Sequence, residues 1–239
     1  MSAVFDQFIG SNQSKVAGTS LIITPVAITV TVGKTIFLAY AGDDVGSAFG
    51  VTDSLGNTYS LIKEQINTGD VKTQLWSAPV TTGGLLATIT VAWTTNVTAK
   101  AAVAGEFSNF GTQRLIEGNS ANGNNTIAIS ATNSFFNNEL WIGACGVEDD
   151  AESNMTNSMG TPTQSSIQVA SNGTTGGSAA SNIFVSLGYV LINADSTATG
   201  LDFRGVGGNN IDNAGAGAIY NPIGGGSVTY PGADGCGVF

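Results

Sequence analysis

The 239 residues carry seven basic side chains against seventeen acidic ones, a formal charge of −10, and no histidine. Only 10% of the chain is charged while 42% is apolar, so its polarity comes from Ser, Thr, Asn and Gly. The seven bases are scattered singly, which argues against nucleic acid or an anionic membrane as partner, and the missing histidine removes Ser-His-Asp and Cys-His catalysis and His-ligated zinc.

Residues 1–19 read as an N-terminal segment ahead of the first strand. Their start lacks a basic region followed by a sustained apolar stretch, so a secretory signal is not expected and assembly inside a cell is favoured. No apolar run approaches the roughly 18 residues that span a bilayer.

From residue 20 onward the dominant signal is alternation with period two. In Val26-Ala-Ile-Thr-Val-Thr-Val32 the larger apolar residues fall on even positions, which predicts a strand with one dry and one wet face. Ile36-Phe-Leu-Ala-Tyr40 is apolar on both faces and reads as a covered central strand, leaving through Asp43-Asp44. Next comes Val51-Thr-Asp-Ser-Leu-Gly-Asn-Thr-Tyr59, where an acid, a hydroxyl and an amide surround one glycine. Asp53, Gly56 and Asn57 are expected to be structural. Asp53 would cap a type I turn, Gly56 would supply the left-handed residue, and Asn57 would open the return strand of a hairpin, with Tyr59 and Leu61 on one face.

Trp76, in Gln74-Leu-Trp-Ser77, is the tryptophan expected at the surface, whereas Trp93 and Trp141 fall inside strand patterns and are expected in the core. Thr88-Ile-Thr-Val-Ala-Trp93 and Asn125-Thr-Ile-Ala-Ile-Ser130 alternate again. Leu140-Trp-Ile142 and Ile183-Phe-Val185 are apolar on both faces. Glycine, asparagine and aspartate punctuate the chain between these runs, the pattern of a sandwich, barrel or jelly roll.

The strand grammar repeats. Residues 27–44 run through an alternating strand, a break, a buried strand and an acidic exit, and residues 128–150 follow the same order into Glu148-Asp149-Asp150. Ala101–Phe110 likewise echoes Ala214–Pro222. The expectation is an all-β antiparallel sandwich, jelly-roll-like, over residues 20–204. It would be built from two similar and intertwined halves, about 20–110 and 125–204 plus 214–222. A glycine-rich arm, 205–239, would follow, with Tyr220, Tyr230 and Phe239 as its contact residues. Cys145 reads as a buried strand residue and Cys236 as a tail thiol, and a bond between them stays open.

Carboxylates are the remaining candidates for chemistry. Asp43, Asp44, Glu148, Asp149 and Asp150 follow equivalent strands, so they are expected at one end of the sandwich. Such acids keep a lysine-poor protein soluble; as weak calcium candidates they would contribute to the roughly six to eight oxygen ligands that ion takes. No other cofactor is expected.

Taken together, Val51–Tyr59, Leu75-Trp-Ser-Ala-Pro-Val80, Thr82-Gly-Gly84, Thr88-Ile-Thr-Val91 and Ala102-Val-Ala-Gly-Glu-Phe-Ser108 resemble a β-sandwich module of phage structural proteins and of predicted bacterial surface or secreted proteins, over about residues 20–222. These are turn and core motifs, and the resemblance transfers no catalytic residue. It implies a non-enzymatic virion protein, first of all a capsid decoration or cement protein. Such a protein would bind the major capsid protein or other virion subunits and form a homo-oligomer, a trimer being one form. A tail or fibre part, or an extracellular module that binds glycan through Trp76 or through loop acids with calcium, are the alternatives.

Overall fold

The structure is a computed structural model and describes residues 2–43, 49–122, 126–131, 137–148, 155–159, 167–176, 181–192, 199–205 and 212–224. Ten strands make the first half: β1 (Val4–Ser14), β2 (Gly18–Ile23), β3 (Thr29–Val30), β4 (Thr35–Asp43), β5 (Phe49–Asp53), β6 (Ser60–Asn67), β7 (Val71–Pro79), β8 (Gly84–Leu85), β9 (Ile89–Val97) and β10 (Lys100–Ser108). Eight make the second: β11 (Phe110–Ala121), β12 (Thr126–Ala131), β13 (Leu140–Glu148), β14 (Met155–Met159), β15 (Ile167–Gly173), β16 (Ile183–Leu191), β17 (Thr199–Gly205) and β18 (Asp212–Pro222).

The all-β reading holds. In the first half a five-stranded sheet runs β1-β10-β4-β7-β6 and a three-stranded sheet runs β2-β9-β5, with β3 and β8 pairing as a short ribbon. In the second half the orders are β11-β18-β13-β16-β15 and β12-β17-β14. Setting β3 and β8 aside, these are the same orders, strand for strand, and every pair is antiparallel. Among the described residues no strand crosses from one half into a sheet of the other, so the halves are fused rather than intertwined. One segment read otherwise from composition is a strand, and one given both to the second half and to the arm belongs to the half. Residues 4–14 form the edge strand β1, and β18, beside the centre of its sheet, lies within the segment assigned to the arm.

Each half packs its small sheet on one face of its large one. Leu21, Ile23, Val51, Ile89 and Val91 meet Ile36, Leu38, Tyr40 and Trp76 in the first half, and Ile129 meets Trp141, Cys145 and Ile219 in the second. The other faces of the two large sheets pack on each other. Phe37, Ala39 and Leu75 face Leu140, Ile142, Leu187 and Ala216 in one shared core. The result is four layers, small-large-large-small. Central strands covered on both faces explain why β4, β10, β13, β16 and β18 are apolar along most of their length. The alanines and glycines of β10 and β18 let covered layers approach closely.

The two halves are related by an approximate two-fold axis. β1 lies over β15 as β11 lies over β6, and β10 lies over β16 as β18 lies over β7, while the equivalent strands β4 and β13 face each other. Even the irregularities repeat. Ile62 is the extra residue of a bulge in β6 and Val169 that of a bulge in β15, both packed against the shared core. Asp6 in β1 and Arg114 in β11 are likewise bulge residues at the same register against β10 and β18.

Candidate functional site

Asp53 ends β5 and β6 begins at Ser60, but these strands do not pair: one lies in the small sheet, the other in the large. The corner between them is thus an arch between layers, not the expected hairpin, and Tyr59 is buried while Leu61 is 45% exposed. Side chains replace the missing ladder. Asp53 Oδ1 accepts from the backbone N–H of Leu55 at 2.9 Å and of Asn57 at 3.1 Å, and Oδ2 accepts from Asn57 Nδ2 at 3.0 Å. Asn57 Oδ1 accepts from the N–H groups of Thr81 and Thr82 at 2.9 and 3.0 Å. Ser54 Oγ accepts from Ala87 N at 2.9 Å. Gly56 sits at φ +78°, the left-handed region a side chain resists. The side chains of Asp53, Ser54 and Asn57 are engaged by neighbouring backbone and, at Asp53 Oδ2, by Asn57 and the Tyr59 hydroxyl, which gives the corner a locking role between the β5–β6 and β7–β9 connections.

The acids present a different environment. Asp43 ends β4 and Glu148 ends β13, its equivalent, so the axis brings them to one end of the shared core. They line an open cleft of about 320 Å³ together with Lys15, Asp70, Thr98, Ala99 and Ser181, so that both halves contribute to its wall. Burial pushes the Glu148 carboxyl up to about 7, and the negative charges of Asp70, Asp212 and Asp43 add to that. Asp43 Oδ2 accepts from Thr98 N and Ala99 N at 3.3 and 3.2 Å. Lys15 spans the junction, donating to Ser181 Oγ and Asn182 Oδ1 at 3.0 Å each and to the Gly176 carbonyl. Lys100 is buried beside the cleft, its ammonium donating to the carbonyls of Val16 and Val97 at 2.6 and 2.7 Å. Burial lowers its pKa against the pull of Asp43.

Chemically this is a cleft that holds a proton near neutrality. Among the described residues no group of three or more His, Cys, Asp or Glu is placed to hold a metal ion; Asp44, Asp149 and Asp150 lie outside the described residues. Sequence reasoning brought Asp43 and Glu148 to one end but missed Asp70, Asp212 and Lys15. Asp70 counted only as turn punctuation and Asp212 as part of an arm. The repeat of the Ala101 strand at Ala214 was the signal that Asp212 begins a strand.

The aromatic candidates turn inward. Trp76 is only 6% exposed and donates from Nε1 to Gln74 Oε1 at 3.0 Å, so it is core rather than a surface platform; Trp93 and Trp141 are buried too. Tyr220 belongs to the shared core, its ring 5.4 Å from that of Phe37 and 5.0 Å from that of Phe110, and is no exposed contact residue. Tyr230, Cys236 and Phe239 lie outside the described residues, and Cys145 is buried.

One surface is chemically distinct. The outward face of β2-β9-β5 sets Ser20 beside Ala92 and Gly50, and Ile22 beside Thr90 and Thr52. None of the six is charged, and all but half-buried Thr90 are exposed. Exposed Val16 and Val26 lie beyond the two ends of β2, and Val32 and Leu85 stand out around the β3–β8 ribbon. No helix among the described residues is long and apolar enough to cross a membrane.

No family model, curated protein or solved structure matches this chain.

Proposed function

We propose that this chain is a non-enzymatic structural protein of a phage or virus particle, a decoration or cement protein that ties shell subunits together through buried contact. The observation that supports this reading is the charge-free outer face of β2-β9-β5, carried by a chain whose formal charge is −10. Burying a charged side chain against a neighbour costs several kcal/mol unless it is paired. A flat face of Ser, Thr, Ala, Gly and Ile avoids that cost. The corner of Asp53 and Asn57, the fused cores and the paired bulge charges serve rigidity, which suits a part that must hold its shape while bearing load.

In this reading the partner is the major capsid protein or another virion subunit, copies of the chain associate with one another on the particle, and the protein resides in the virion. The extracellular glycan-binding alternative loses its Trp76 platform, since that ring is buried, and keeps only its second route, loop acids with calcium. Co-sedimentation with assembled shells tests the proposal. The wild type pellets with shells in a saturable manner, and Ala92→Glu, which sets a charge in the middle of the face, weakens that binding at least about tenfold. A wild type that stays in the supernatant of every assembled shell tried, yet binds a glycan array, refutes it.

A further inference from the structure

The two bulge residues carry opposite charges. In the first half the bulge residue Asp6 accepts from Lys34, the residue just before β4, at 2.9 Å. In the second half the bulge residue Arg114 donates to Glu139, the residue just before β13, with Nε–Oε1 at 2.6 Å and Nη2–Oε2 at 3.0 Å. Position for position the pairs are the same, but the signs are exchanged. Both pairs are largely withdrawn from water: the side chains of Asp6 and Arg114 are 16% exposed, Lys34 27%, and Glu139 not at all.

The exchange of signs matters because the two seats are alike around this bulge, although β1 has a second bulge at Ile9 and β10 carries Glu106 where β18 carries Ile219. β1 and β11 are edge strands that pair with β10 and β18 in the same register around the same bulge. β11 also begins one residue after β10 ends, across Asn109 at φ +61°. The edge of β10, which β1 fills from the far end of that half, is therefore the nearest partner β11 meets in sequence, and local pairings form first. We infer that the Asp6–Lys34 and Arg114–Glu139 pairs are a charge code that assigns each edge strand to its own half and rejects the other.

The rejection is strongest in the second half. Seating β1 there sets Asp6 against the fully buried carboxylate of Glu139, two acids where the code supplies an acid and a base. Seating β11 in the first half sets Arg114 beside Lys34, a repulsion that Glu106, 3.6 Å from Lys34, relieves in part. Specificity here comes from the repulsion in the wrong pairing as much as from the attraction in the right one. The same code blocks a head-to-tail contact in which β1 of one copy enters the second half of the next, a contact that propagates wherever its rotation does not close a ring.

Refolding from denaturant, followed by light scattering after size separation, tests the code with two variants. D6R/R114D exchanges the charges of the edge strands, so each matches the other half. It is expected to raise the share of material larger than the wild-type assembly at least about tenfold. R114D/E139K keeps an acid–base pair in each half but writes both in the same sense, and it is expected to raise that share to an intermediate level. Wild-type proportions for both variants overturn the proposal. Where D6R/R114D yields no folded protein, R114D/E139K decides alone: an unchanged share overturns the code and a raised share supports it.

Discussion

Asp43 and Glu148 end equivalent strands on either side of the approximate two-fold axis, and both line the same cleft. Burial there, with the negative charges of Asp70, Asp212 and Asp43 adding to it, makes Glu148 hold its proton. Its carboxyl titrates at about 7 in the folded chain against 4.5 in its ordinary state. The folded state thus binds this proton more tightly than the unfolded state does. The favourable contribution is present in full below about 4.5 and is lost as pH rises through 7. Thermal unfolding followed from pH 5 to pH 9 is expected to show Tm falling up to about pH 7 and levelling above it. Glu148→Gln should flatten that fall and raise Tm at the alkaline end; an unchanged slope contradicts the assignment.

The corner at Asp53 makes a prediction of a different kind. Asn57 is 4% exposed and its Oδ1 satisfies two backbone N–H groups of the β7–β8 connection. Asn57→Ala leaves both without that acceptor and is expected to cost about 2–3 kcal/mol in chemical denaturation. At Gly56 an added Cβ meets no atom within 4 Å, so Gly56→Val is penalised chiefly through the positive φ, about 1–2 kcal/mol. Gly50→Ala, equally open but with no positive φ, serves as the neutral control. Asp53→Ala should lower stability and leave binding to any partner unchanged once the chain is folded.

At the junction of the large sheets, Gly146 sits where a Cβ would fall 2.2 Å from Thr73 Oγ1 and 2.6 Å from Ala41 Cβ. Thr73 belongs to β7 and is fully buried, so neither neighbour has room to withdraw. Gly146→Ala is expected to cost about 1–3 kcal/mol by overpacking the shared core. Ala41 is the equivalent of Gly146 across the axis, so adding Ala41→Gly removes one of the two clashes and should recover part of the loss. Additive losses in the double variant would show that the two large sheets do not meet as described.

Much of the architecture could be read from the residues. Alternation in Thr88–Trp93 gave the facing of β9, where Ile89, Val91 and Trp93 point inward. The doubly apolar run at Ile36 marked a central strand, and the echo between residues 27–44 and 128–150 paired Asp43 with Glu148. What could not be read was which layer each strand joins. Asp53-Ser-Leu-Gly-Asn57 carries the residues of a tight turn, and those residues serve a hairpin and an arch equally well; only the partners of β5 and β6 distinguish the two. Trp76 and Tyr220 were placed outside because their flanks are polar or glycine-rich. Strands covered on both faces hide that cue, since their small neighbours are there to let the layers close. The charge code was invisible for a similar reason: Asp6 and Arg114 become equivalent only once the bulges set the register.

Reconstruction of the protein on assembled shells by electron microscopy tests the central claim most directly. Four-layered density is expected on the particle with the β2-β9-β5 face turned toward a neighbouring subunit, Ile22, Thr52 and Thr90 being shielded from solvent. Particles that carry the protein with that face open to water, and the acidic end of the junction against the shell, would contradict it.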